Sequence, residues 1–118
     1  MKFRCWDKDY EKMWDGDELY IAYFKNEIYV SPWDLDRGFE DYVLMQYTGL
    51  KDKNGVEIYE GDIVTTHRAS DILGEVVMYK GCWCIKNKYK SYLLVHNWDK
   101  IQNEVIGNIY ENPEILEK

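Results

Sequence analysis

Turn-forming pairs recur along this chain at intervals too short for long helices. Lys25-Asn26 separates two apolar runs, 19–24 and 27–31; Lys51-Asp52-Lys53-Asn54-Gly55, ending in an Asn-Gly pair, separates 43–50 from 56–59; and Lys80-Gly81 separates 74–79 from 82–86. Two-residue loops between short apolar runs signal hairpins, and glycine accepts the positive φ that such loops need. Asn54-Gly55 predicts a type I′ turn. Within 27–31, Ile28 and Val30 share one face while Glu27, Tyr29 and Ser31 share the other. The same reading gives strands at 2–6 and 12–14, near an Asp15-Gly16 turn. It gives another at 63–67, after a Glu60-Gly61-Asp62 turn, and two more at 89–96 and 104–110. Pro113 opens a short terminal helical turn.

The expected fold is therefore mainly β, with short strands and tight turns. Residues 1–42 form an amino-terminal β-hairpin subdomain and 43–112 a carboxy-terminal SH3-like small barrel, since about five short strands joined by tight turns curl into such barrels. Residues 113–118 are a short helix or tail, and the whole chain of 118 residues is one unit. At the junction, 32–42 mixes Pro32, Gly38, acids and the rings of Trp33, Phe39 and Tyr42, which predicts a loop or short helix.

Charge narrows the functions. The formal net charge is -7, which argues against a general duplex-binding protein, because affinity for phosphate comes from clustered Lys and Arg. Negative charge is weighted toward the first 42 residues, which carry eleven acids and six bases. The longest apolar run, 19–24, contains two tyrosines and falls far short of the ~18–20 residues of a membrane helix, so no membrane partner is expected. The opening Met1-Lys2-Phe3-Arg4-Cys5-Trp6-Asp7 does not read as a signal peptide, and the three cysteines are an odd number. A reducing, cytoplasmic location is expected.

The central segment reads Leu44-Met45-Gln46-Tyr47-Thr48-Gly49-Leu50-Lys51-Asp52-Lys53-Asn54-Gly55-Val56-Glu57-Ile58-Tyr59-Glu60-Gly61-Asp62-Ile63-Val64. It is flanked by Phe3-Arg4-Cys5-Trp6-Asp7 near the start and by Val105-Ile106-Gly107-Asn108-Ile109-Tyr110-Glu111-Asn112-Pro113-Glu114 near the end. Together these resemble the signature of the YopX family over nearly the whole chain, with a departure at Cys5, where alanine is usual. The resemblance implies a β-rich fold with a carboxy-terminal SH3-like barrel, a phage or prophage origin, and hence the cytoplasm of a bacterial host cell. It brings no known activity and no catalytic residues. Through backbone physics, Asn54, Gly55 and Gly61 shape turns, and Ile58, Ile63 and Val64 belong to the core.

Other chemistry is sparse. Cys82 and Cys84 sit at i and i+2 with no second pair, which is wrong for structural zinc; they are expected as small packed hydrophobes. His67 and His96 have no recognised spacing to Asp62, Asp71 or Asp99, so neither an enzyme nor a cofactor is expected. The carboxylates Asp15, Asp17 and Glu18, and Asp34, Asp36, Glu40 and Asp41, lack the register of a calcium loop and read as solvated surface.

One stretch opposes the global charge. Lys80, Lys86, Lys88 and Lys90 fall within 11 residues that hold no acid, interleaved with Tyr79, Trp83, Tyr89 and Tyr92. Cations and stacking rings together hold single-stranded nucleic acid. Strand alternation, however, sets Trp83 with Ile85 toward a core. Aromatic residues make up 16% of the chain, more than one small barrel hides, and exposed Trp and Tyr favour protein interfaces. The leading expectation is a non-enzymatic protein that associates with itself or with a host or phage protein, using Trp33 and Phe39. The alternative is weak single-strand binding through Lys80, Lys86, Lys88, Lys90, Tyr89 and Tyr92.

Overall fold

The computed structural model describes residues 2–32, 42–68, 70–98 and 100–117, with backbone alone for 21–24 and 28–32. It is mainly β, and the chain divides into two compact units, Met1–Gln46 and Tyr47–Lys118. The division falls inside a strand that begins at Tyr42, next to the composition change at 42/43. The loop or short helix expected over 32–42, with Trp33 and Phe39, lies outside the described residues except at its ends, which are both in strands.

In the first unit, β1 (Phe3–Asp7) pairs antiparallel with β2 (Lys12–Trp14), and its other edge pairs with the start of β5 (Tyr42–Lys51) through Cys5↔Leu44 and Asp7↔Tyr42. A second hairpin joins β3 (Leu19–Phe24) to β4 (Glu27–Pro32). Lys25 and Asn26 both have positive φ, 51° and 65°, which is the type I′ form that matches strand twist. Asp15-Gly16 behaves differently from the expected positive-φ turn. Gly16 opens a 3-10 turn, Gly16–Glu18, and its lack of a side chain matters for space, since a Cβ there would lie 2.8 Å from the Phe3 carbonyl oxygen.

Asp7 organises the β1–β2 connection from a fully buried position. Its Oδ1 accepts from the backbone N–H groups of Asp9 (3.0 Å) and Tyr10 (3.1 Å), and its Oδ2 from Trp14 Nε1 (3.1 Å). Beside it, Cys5 is buried with Tyr42 against Phe3, Trp14 and Leu19. Burial, and then the neighbouring Asp7, push the Cys5 thiol from 9.0 up to about 11.

The strands of the second unit's five-stranded antiparallel sheet are β7 (Asp62–His67), β8 (Ile72–Tyr79), β9 (Cys82–Lys86), β10 (Ser91–Leu93) and β11 (Gln102–Asn108). Their order is β10-β9-β8-β7-β11, so β7 to β10 form a meander and β11 returns to pair with β7, in the small all-β barrel expected. β6 (Glu57–Tyr59) pairs with the later part of β5. Alternate residues converge on one core of Ile58, Val64, Ile72, Val76, Ile85 and Leu94, with Leu50, Trp83, Tyr92 and Val105 packed against it. Trp83 is thus core on one side, as alternation requires. Ile106 is an extra residue in β11, where the pairing steps from Val105↔Val64 to Gly107↔Ile63.

The hairpin β8–β9 turns at Lys80-Gly81 with φ of 50° and 81°, again type I′. Its backbones approach closely, since a Cβ on Gly74 would lie 2.6 Å from the Lys86 carbonyl oxygen. The strand expected over 89–96 is shorter, Ser91–Leu93, because 87–90 form a turn, and the terminal segment is a 3-10 helix, Pro113–Glu117.

Asn54-Gly55 departs from type I′. Of that pair only Gly55 has positive φ, 82°, and the Gly55 N–H donates to the Asp52 carbonyl at 3.0 Å. This is a type I turn closed by a left-handed glycine. The Asp52 carboxylate selects it, with Oδ1 accepting from the N–H groups of Asn54 (2.8 Å) and Val56 (2.9 Å) and Oδ2 from that of Val105 in β11 (3.0 Å).

Two outcomes follow. Asp52→Asn turns an amide NH₂ toward backbone N–H donors and should cost about 1–3 kcal/mol, whereas Asn54→Ala on the exposed side should cost under about 0.5 kcal/mol; equal losses in urea melts would contradict this. For Cys5, the unfolded thiol releases its proton from 9.0 while the folded one holds it to about 11. Its contribution is therefore complete below that lower value and falls as pH rises toward the higher one, by up to about 1.4 kcal/mol per unit. Cys5→Ala should flatten the alkaline decline in stability, and parallel declines in the two proteins would refute it.

Candidate functional site

The basic stretch singled out in the sequence straddles β9, β10 and the turn between them. Asn87 builds that turn. Its Oδ1 accepts from the backbone N–H groups of Tyr89 (2.9 Å) and Lys90 (3.1 Å), and its Nδ2 donates to the Leu73 carbonyl of β8 (3.0 Å). Its own N–H closes the loop onto the Lys90 carbonyl at 3.1 Å. Tyr89 therefore stands at a braced tip, 82% exposed. Lys88 Nζ lies 5.2 Å from the centroid of the Tyr89 ring, and Lys90 Nζ 5.4 Å from that of Tyr92. Arg68 approaches the same Tyr92 ring at 5.9 Å. Each distance is within reach of a cation–π attraction.

Beside the tip lies a cleft of about 770 Å³. Tyr89, Tyr92, Lys86 and Lys88 line it, together with Asp71 and Glu75 and an apolar floor from Ile72, Leu73 and Val77; Leu116 of the terminal 3-10 helix contributes one wall. Glu75 and Lys86 are directly opposite across the β8–β9 ladder, where opposite charges attract. Glu75 is half-buried, and burial raises its carboxyl above the ordinary range; Lys86 opposes the shift and Glu60 adds to it. Asp71 Oδ1 meets His67 Nδ1 at 3.3 Å, with both side chains well exposed.

Four of the six candidate contact residues thus share one cleft. Lys90, beside the Tyr92 ring, is outside the cleft lining, as is Lys80, which occupies the far turn of the hairpin 5.3 Å from the Tyr79 ring. Sequence reasoning missed Asp71, Glu75 and Leu116. For Glu75 a signal existed: once Lys80-Gly81 is a two-residue turn, counting back along both strands sets Glu75 opposite Lys86. The local excess of positive charge is accordingly smaller in space than along the chain.

The thiols are dispersed. Cys84 is buried and Cys82 is exposed near the hairpin tip, so the expectation that both are packed holds for Cys84 and fails for Cys82, which lies beyond the reach of β10. Cys5 belongs to the first unit. Among the described residues the one group of three metal-capable side chains is Asp15, Asp17 and Glu18, a largely exposed trio with Lys12 Nζ 4.0 Å from Glu18. No described helix is long and apolar enough to cross a membrane.

The family profile described as YopX protein matches residues 2–117. The chain belongs to the YopX family. Two solved structures are similar to it. Protein EF1440 from Enterococcus faecalis is 30% identical, with 98% of this chain and 96% of that one covered and a TM-score of 0.62. Protein yopX from Bacillus subtilis is 23% identical, with 100% and 97% covered and a TM-score of 0.71, which bears on the fold. Among curated proteins, none matches. The YopX signature seen in the sequence coincides with the turn built on Asp52 and with the core residues Ile58, Ile63 and Val64, all fully or nearly fully buried. The cleft, by contrast, is lined by residues between Asp71 and Tyr92 and by Leu116, all outside that central segment.

Proposed function

We propose that this YopX-family chain is a non-catalytic binding protein of phage or prophage origin, working in the bacterial cytoplasm, whose second unit holds single-stranded nucleic acid in the β9–β10 cleft. The observation that carries this reading is the convergence of Tyr89, Tyr92 and Lys88 on one open cleft. Exposed rings stack on unpaired bases for about 1–3 kcal/mol each, and neighbouring cations neutralise the phosphates. A net charge of -7 keeps the affinity modest and disfavours long duplexes.

Fluorescence anisotropy with single-stranded oligonucleotides at two salt concentrations tests it. Binding should weaken with salt, and Tyr89→Ala should lower affinity about 5- to 150-fold, the equivalent of one stacking contact. No binding at low salt, or binding indifferent to Tyr89→Ala and to Lys88→Glu, would remove this reading.

A second reading, self-association, is favoured by a separate observation. Met78 and Tyr79 near the β8–β9 turn and Leu93 on β10 are 45%, 54% and 57% exposed, and β10 is an edge of the five-stranded sheet. Apolar side chains beside an open edge suit pairing with a second copy. Light scattering at micromolar concentration should then give a species larger than the 14.2 kDa chain; a monomer counts against it.

A further inference from the structure

We infer that the cleft selects among bases and that Glu75, with Lys86 beside it, is the specificity-determining pair, favouring guanine. This rests on the single-strand reading above. The cleft contains few polar side chains able to read a base edge. Asn87 spends its carbonyl oxygen on the Tyr89 and Lys90 N–H groups and its amide on Leu73. Asp71 is engaged by His67 at 3.3 Å, and Lys88 lies against the Tyr89 ring. Glu75 remains, half-buried in the cleft wall, its carboxylate making no hydrogen bond to any described residue. Directly across the ladder is Lys86.

The chemistry of that pair is directional. An ionised carboxylate offers two acceptors and no donor, and an ammonium offers donors only. Guanine's Watson–Crick edge presents the complement in order: O6 accepts, while N1–H and the N2 amine donate side by side. A base stacked on Tyr89 would turn that edge toward β8 and β9, with the carboxylate bridging N1–H and N2–H and the lysine reaching O6. Adenine and cytosine each offer one amine beside a ring acceptor, so one carboxylate oxygen faces a lone pair. Thymine and uracil place carbonyls on both sides of their single N–H. Unpaired bases are read in this way, stacked on aromatic rings and hydrogen-bonded along the same edge.

The test is fluorescence anisotropy on the full chain at low salt with three short probes: an alternating guanine–thymine strand, which avoids four-stranded guanine structures, an all-thymine strand and an all-cytosine strand. The guanine–thymine strand should bind about tenfold more tightly than the all-thymine strand, the scale of one two-pronged base contact. Glu75→Gln should erase most of that ratio, and Lys86→Met should reduce it by removing the contact to O6. Equal affinity for all three strands, or a guanine preference that survives both substitutions, overturns the inference and leaves strand binding intact. Failure of every strand to bind overturns both.

Discussion

Three backbone N–H groups from two distant stretches of chain converge on the carboxylate of Asp52, and much of the second unit's geometry depends on it. Oδ1 holds the turn between β5 and β6, and Oδ2 holds Val105, so a local turn and a long-range strand position are set by one side chain. Nearby, buried Asn103 works in the same way. Its amide donates to the Val95 carbonyl at 2.6 Å, its side-chain oxygen accepts from Thr66 at 2.8 Å, and its backbone carbonyl accepts from Lys53 at 2.8 Å. An irregular stretch such as 94–98, with little ladder pairing of its own, would otherwise leave polar groups unsatisfied at the edge of a core. Buried polar side chains stand in there for a missing strand.

The same device recurs at smaller scale at three other turns. Asp7 closes the β1–β2 connection, Asn87 the β9–β10 turn, and Asn108 accepts from the N–H groups of Tyr110 and Glu111 at the exit from β11. Lys25-Asn26 and Lys80-Gly81 are the type I′ pairs, whose geometry matches the twist of the strands they join. Turn chemistry therefore falls into two classes, and the candidate cleft is built at a turn of the side-chain-braced class.

That division explains what was legible in the sequence. The hairpin strand entered through a two-residue turn, Cys82–Lys86, agrees at both ends, and the core positions of the central motif follow from alternation. Asn54-Gly55 was misread in type because its conformation is decided by Asp52, whose second oxygen answers to a strand some fifty residues away, a partner that no local window contains. Strand β10 was overextended for a related reason: Asn87 captures the N–H groups of Tyr89 and Lys90 before they can join a ladder. The site was half visible. Its lysines and tyrosines cluster along the chain, whereas Glu75 comes into view only through the register of the hairpin, and Leu116 only through the return of the terminal helix.

Gly74 carries a further implication. No side chain fits between β8 and the Lys86 carbonyl, so the spacing that sets Glu75 against Lys86 is fixed by main chain rather than by packing that could relax. A lineage of such proteins would be free to exchange the rings and charges that look into the cleft while the register of these two strands stayed constant. Diversity would accumulate in what the cleft recognises, and the pairing of the strands beneath it would be inherited unchanged.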